Sequence, residues 1–208
     1  MSTPIRILLA DDHPSLRDGL ASILNSQPDL TVVAEAGTGR EAVKQFKITS
    51  PDVLILDLRM PQGDGIETIK ELIAFDPAVK ALVLTTYDNE EDIFSALEAG
   101  ARGYILKDTT REEIIEAVRQ IHAGNRFIPS AIAARLADRM IRPSLTPREL
   151  DVLRLVSRGR TNKEMAVAMF VTEETIKSHM KGLFQKLGVH DRAEAVSLAL
   201  QRGLLRLE

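Results

Sequence analysis

The chain has 208 residues, 44% of them hydrophobic and 27% charged, with no cysteine and a formal net charge of −3. The absence of cysteine excludes disulfides, thiolate metal sites and cysteine nucleophiles, and no apolar run approaches the roughly 18 residues that cross a bilayer. Residues 1–122 carry 12 Lys+Arg against 21 Asp+Glu, a net −9, whereas the remainder carries 15 against 9, a net +6. An acidic first half and a basic second half predict that a polyanion such as nucleic acid meets only the second.

Met1-Ser2-Thr3-Pro4 leads directly into the strand-like Ile5-Arg6-Ile7-Leu8-Leu9 without the basic region, apolar core and cleavage site of a signal peptide, so a cytoplasmic protein without membrane contact is expected. Apolar runs of strand length follow at Ile5 to Ala10, Leu30 to Ala34, Val53 to Leu56, Ala81 to Leu84 and Gly103 to Leu106. Each is too short for a helix and reads as a buried parallel strand. Between them, apolar residues recur at helical spacing: Leu16, Leu20, Ile23 and Leu24; Ile66, Ile69, Leu72 and Ile73; Ile114, Ile115, Val118 and Ile121. Five β-α units in succession predict a doubly wound, five-stranded parallel sheet over residues 1–122, with ligands bound beyond the carboxyl ends of its strands.

Residues 123–143 read as a linker: Ala123-Gly124-Asn125-Arg126 and Pro129 break the pattern, a helix is expected over about Ser130 to Met140, and Pro143 closes the segment. Residues 144–208 contain no strand pattern. Thr146-Pro147-x-Glu149 opens a first helix that ends at Gly159, Thr161 or Asn162 opens a second, Thr172 a third that ends near Gly188, and Asp191 a fourth. A small all-α, four-helix domain is expected there.

Asp11 and Asp12 follow the first strand and Asp57 ends the third, so a parallel sheet brings three carboxylates to one edge. Such a cluster repels itself unless a cation intervenes. A hard divalent ion, Mg²⁺, fits oxygen ligands of this kind and leaves room for water and phosphate, which suits phosphoryl transfer. Thr85 after the fourth strand adds a hydroxyl and Lys107 after the fifth a fixed positive charge, the two kinds of partner that a phosphoryl group on Asp57 needs.

Leu8-Leu9-Ala10-Asp11-Asp12, Asp57-Leu58-Arg59-Met60-Pro61-x-x-Asp64-Gly65, Thr85-Thr86 and Gly103-Tyr104-Ile105-Leu106-Lys107 resemble the receiver domain of bacterial response regulators, a flavodoxin-like fold, over roughly 120 residues. The resemblance implies that Asp57 accepts a phosphoryl group from a phosphohistidine on a sensor histidine kinase. It further implies that Asp12, Asp57 and the backbone carbonyl of Arg59 bind Mg²⁺ with Asp11 acting through water, and that Thr85 and Tyr104 switch together on phosphorylation. Asp108 stands where many receivers have proline, and Thr86 is bulkier than the small residue often found there; crowding by Thr86 predicts slow autodephosphorylation. A phosphohydrolase of haloacid-dehalogenase type would want a second acid two residues after the nucleophile, where this chain has Arg59. Autophosphorylation and autodephosphorylation are then the only chemistry expected, not enzymatic turnover of a substrate.

The four-helix domain by itself suits a dimerisation bundle, a protein-docking module or a DNA reader. On its third helix Lys177, Ser178 and Lys181 share a face opposite the apolar stripe of Ile176, Met180, Leu183, Phe184 and Leu187, as in a recognition helix entering the major groove, with Arg160, Thr161, Asn162 and Lys163 placed to hold the DNA backbone. Gly182, inside that helix, suggests a close approach or simple tolerance. Leu145-Thr146-Pro147-Arg148-Glu149-Leu150, Thr161-Asn162-Lys163-Glu164-Met165-Ala166 and Thr175-Ile176-Lys177-Ser178-His179-Met180 resemble the LuxR-type helix-turn-helix, and with the receiver they mark the NarL/FixJ subfamily. That resemblance implies base contacts by Lys177, Ser178 and Lys181 with double-stranded promoter DNA. It also implies a homodimer, when phosphorylated or DNA-bound, through the fourth helix, with Val196, Leu200 and Leu204 as candidate contacts. The alternative is a phosphorelay or docking module that does not bind DNA.

Overall fold

The computed structural model describes residues 3–61, 63–86 and 90–205. Its elements run β1 Ile5–Ala10, α1 Pro14–Asn25, β2 Leu30–Ala36, α2 Gly39–Thr49, β3 Val53–Leu56, β4 Arg59–Met60, β5 Gly63–Asp64, α3 Gly65–Phe75, β6 Ala81–Thr85, α4 Glu90–Glu98, β7 Gly103–Leu106 and α5 Arg111–His122. Then follow α6 Ser130–Ile141, α7 Pro147–Ser157, α8 Asn162–Met169, α9 Glu173–Leu187 and α10 Arg192–Arg202. The described chain forms two compact units, one of residues 3–86 (without 62) with 92–134, the other of 90–91 with 135–205.

The first unit is built on a five-stranded parallel sheet in the order β2-β1-β3-β6-β7. Crossover helices cover both faces of such a sheet, which is why its strands are continuous apolar runs instead of alternating ones. Ile7, Val53, Leu82 and Ile105 from the strands meet Leu24, Ala117, Val118 and Ile121 from α1 and α5, and all eight are fully buried. β2 and β6 extend beyond the apolar runs, to Ala36 and Thr85, because the hydrogen-bonded ladder continues past them. A two-residue antiparallel ladder, Arg59 opposite Asp64 and Met60 opposite Gly63, closes the loop between β3 and α3 and has no counterpart in the apolar pattern. After α5, Phe127 bridges to Gly103: its N–H donates to the Arg102 carbonyl and its own carbonyl accepts from Tyr104 N–H, each at 3.0 Å.

In the second unit each of the four helices after α6 begins at a side-chain cap. Thr146 and Thr161 form reciprocal capping boxes with Glu149 and Glu164, while Thr172 and Asp191 accept from the backbone N–H groups of Thr175 and Glu194. These bonds satisfy N–H groups that a helix start leaves open. Val152, Leu153, Met165, Ile176, Leu183, Ala195 and Ala199 are fully buried between the helices. Among the described residues, no helix is long and apolar enough to cross a membrane.

Candidate functional site

The parallel register determines what meets at the carboxyl edge of the sheet. Ala10 pairs with Leu56, and the ladder continues as Asp57 N–H donates to the Ala10 carbonyl at 2.8 Å; Asp11 N–H donates to Ala36 at 3.0 Å and Lys107 N–H to Thr85 at 2.9 Å. Asp11, Asp57, Thr85 and Lys107 therefore leave their strands side by side. Asp11 and Asp57 are buried, Thr85 and Tyr104 are fully buried, and Asp12 is half-buried. Thr86, the next residue, is exposed.

Lys107 Nζ lies 2.6 Å from both Asp57 Oδ2 and Asp11 Oδ2, with only 8% of its side chain exposed. Burial pulls this ammonium group down, but its hydrogen bonds to Asp11 and Asp57 outweigh that and hold it above the usual lysine value. Asp57 Oδ1 accepts from Arg59 N–H at 3.2 Å. His13, not singled out in the sequence, donates its backbone N–H to Asp11 Oδ1 at 2.8 Å, and its ring Nδ1 lies 3.1 Å from that oxygen and 2.8 Å from Asp12 Oδ1. Its place directly after the acidic pair was the available signal. Ligand atoms of Asp11, Asp12, His13 and Asp57 all fall within 4.8 Å of one another.

The donor set suits a hard divalent cation. Asp12 Oδ1 is buried and, for all its closeness to the His13 ring, makes no hydrogen bond of acceptable geometry, so it is an oriented oxygen awaiting a partner. An acidic pocket with oxygen ligands and room beside them is consistent with Mg²⁺.

The adjoining loop is held close by Gly65, at the start of α3. A Cβ there would come within 2.6 Å of the Asp57 carbonyl oxygen and the Leu58 Cα, so any side chain would push α3 off the Asp57 loop. The side chain of Asp64 caps α3 through Ile66 N–H at 2.9 Å. The Arg59 guanidinium reaches α4, where it pairs with the buried Asp92 at 3.1 Å. A pair 33 residues apart leaves no mark in the sequence.

In the second unit Lys177, Ser178 and Lys181 lie on the exposed face of α9, opposite the buried Ile176, Met180 and Leu183. Lys177 pairs with Glu174 at 3.1 Å, an exposed bridge that costs little to break. Lys163 is exposed, whereas the Thr161 hydroxyl serves the α8 capping box and Asn162 Oδ1 accepts from Arg192 at 2.6 Å. Arg192 also donates to the Arg160 carbonyl at 2.8 Å, so it fastens α10 to the start of α8. Val196, Leu200 and Leu204 are half-buried and packed in part against the domain's own core, and the first two also line an open groove with Val156 and Gly159. Gly182 faces α7: a Cβ there would stand 2.8 Å from Glu149 Oε1.

Residues 7–119 match the response regulator receiver domain and residues 143–199 match the luxR family of bacterial regulatory proteins. The chain belongs to the response regulator family. It pairs a receiver with a LuxR-type DNA-binding domain, and its relatives include transcriptional regulatory proteins. The transcriptional regulatory protein YxjL of Bacillus subtilis is 38% identical, with 97% of this chain and 98% of that protein covered. Among solved structures, response regulator ChrA of a heme-sensing two-component system is 38% identical, covering 98% of this chain and 100% of that one, with a TM-score of 0.59. The two-component response regulator RcsB in complex with DNA is 28% identical over 96% of this chain and 99% of that one, with a TM-score of 0.72. The regulator has the receiver's five-stranded parallel fold, followed by helices.

Proposed function

We propose that the regulator is switched by phosphorylation of Asp57 and, once switched, dimerises and binds promoter DNA. Asp57 Oδ attacks the phosphorus of a phosphohistidine on a sensor histidine kinase; the O–P bond forms as the P–N bond breaks, and the imidazole leaves with a proton. Lys107 supports this reading most directly, since its Nζ stands 2.6 Å from Asp57 and Asp11, where it can follow the charge that develops on the phosphoryl oxygens. Asp12, Asp57 and the backbone carbonyl of Arg59 would hold Mg²⁺, with Asp11 acting through water; bound there, the ion would offset the charge of carboxylates and phosphoryl group. Thr85, at the end of β6, gives its hydroxyl to a phosphoryl oxygen, and Tyr104 on β7 follows it, which shifts the receiver between two packings. Besides this transfer, autophosphorylation from small donors and autodephosphorylation make up the receiver's chemistry in this reading.

Lys177, Ser178 and Lys181 contact base edges in the major groove, while Lys163, Thr161 and Asn162 contact the DNA backbone. The response regulator RcsB, similar over 96% of this chain, has been solved in complex with DNA. Val196 and Leu200 on α10 meet the same residues of a second copy. The regulator works in the cytoplasm, where a bacterium keeps its promoters. The deciding experiment measures promoter binding by wild type and Asp57→Asn, each with and without acetyl phosphate. Tighter binding only for phosphorylated wild type is expected; equal binding in all four conditions refutes the switch.

A further inference from the structure

Arg59 belongs to two places at once. Its backbone is part of the site, with its N–H on Asp57 Oδ1 at 3.2 Å, and its guanidinium lies on α4, 3.1 Å from Asp92 Oδ2. Asp92 is an unusual residue to find at that position. It is 2% exposed on the first turns of a nine-residue helix, beside the fully buried Ile93 and Ala96. A buried carboxylate is costly unless it is paired, and withdrawing a cation from it is strongly unfavourable. The Arg59 side chain, one-third exposed, runs from a backbone hydrogen-bonded to Asp57 to this carboxylate.

We propose that Arg59 is a positioning residue that couples the charge state of Asp57 to α4. The inference rests on the reading of Asp57 as the phosphoacceptor. In the unmodified regulator the guanidinium holds Asp92 in place. A phosphoryl group on Asp57 adds close to two negative charges and three acceptor oxygens two residues from Arg59, and a guanidinium prefers such a group because its planar fork binds two oxygens together. Lys107 is already shared between two carboxylates, so the added charge draws on Arg59 as well. As Arg59 turns toward the phosphoryl oxygens, Asp92 loses this guanidinium, and an arrangement of α4 in which its carboxylate meets water becomes favoured. The site thereby biases a helix with two packings by moving one cation between two anions.

The test uses the full chain, acetyl phosphate with Mg²⁺, intact mass to count acyl phosphate, and hydrogen exchange of a peptide covering residues 90–98. In wild type, phosphorylation should speed exchange in α4 several-fold. Asp92→Asn keeps the shape and removes the charge, so phosphorylation should then change α4 exchange less than twofold. Arg59→Met should leave α4 exchanging quickly even without acetyl phosphate, and adding Asp92→Asn to it should restore slow exchange, which also guards against a variant that simply misfolds. Equal acceleration in wild type and Asp92→Asn, or an α4 unaffected by Arg59→Met, overturns the coupling. If intact mass finds no acyl phosphate on wild type, the phosphoacceptor reading fails and takes this one with it. Full phosphorylation with an unchanged α4 overturns only the coupling.

Discussion

At the scale of single residues, the receiver site is a problem in charge balance. Three carboxylates converge, and Lys107 bridges two of them with its side chain nearly buried. Removing it leaves Asp11 and Asp57 facing each other without their ammonium. We expect Lys107→Met to destabilise the receiver by about 3 kcal/mol in chelator, the scale of a broken buried pair, and millimolar Mg²⁺ to restore much of the loss, as read by chemical denaturation. Equal stability of wild type and variant would contradict that assignment. Thr86 stands exposed directly after Thr85, at the rim where water must approach a phosphoryl group on Asp57. We expect its methyl and hydroxyl to slow that approach, so Thr86→Ala should shorten the lifetime of phospho-Asp57 severalfold in an acid-quenched time course; an unchanged lifetime refutes the crowding. The residues that compose this edge were readable because strand ends can be read: each of Asp11, Asp57, Thr85 and Lys107 follows an apolar run. Asp92 was not, since nothing in a local pattern tells an exposed helix carboxylate from one that a loop 33 residues away has covered.

At the scale of elements, α7 and α9 are joined through Glu149. Its Oε2 accepts from Thr146 N–H and from Lys186 Nζ, each at 2.7 Å, and its Oε1 faces Gly182. Gly182 by its place in the helix suits either close approach or simple tolerance, and its contact with Glu149 favours close approach. Alanine would gain about 1 kcal/mol of helix propensity but place its Cβ 2.8 Å from a carboxylate that two hydrogen bonds hold still. Overpacking costs about 1–3 kcal/mol, so Gly182→Ala should be net destabilising. In a double-mutant cycle with Glu149→Ala the loss should turn into a gain, whereas additivity would show that the two do not touch. Burial raises the Glu149 carboxyl, but Lys186 and the Thr146 cap outweigh it and hold it below the usual glutamate value. Its contribution is thus complete above the unfolded value of about 4.3 and is lost as pH falls through the lower folded one. Glu149→Gln should flatten that acid limb of the helical domain's stability, measured by thermal unfolding from pH 6 to about 3. Helix starts in this domain were legible, because Thr146, Thr161, Thr172 and Asp191 are cap residues by chemistry. The β4-β5 ladder was not, being too short to make a pattern.

At the scale of the whole molecule, the division of charge fits a division of labour between an acidic receiver, whose carboxylates would hold a cation, and a basic domain that would meet a polyanion. Composition alone announced that split, whereas the family of the helical domain came from its motifs, since Lys177 and Lys181 would look the same on any solvated helix. Base contacts and phosphate contacts can be separated experimentally. Lys177→Ala and Lys181→Ala should each weaken binding to the cognate promoter by about 1–3 kcal/mol and leave random DNA almost unaffected. Lys163→Ala should weaken both alike and lower the slope of log affinity against log salt by about 1. A uniform loss from all three would place α9 on phosphates instead of bases.

The side chain of Arg192 has a bearing on the DNA itself. It grips the Arg160 carbonyl and the Asn162 side chain from the first residue of α10, so the helix that would meet a second copy is fastened to the start of the helix-turn-helix. Two copies joined there could not adjust their reading heads independently. The distance and the angular phase between them would be set by the protein, and a promoter would have to present its two half-sites at a matching separation along the duplex. Spacing between half-sites then becomes as much a part of the recognised sequence as the bases within them.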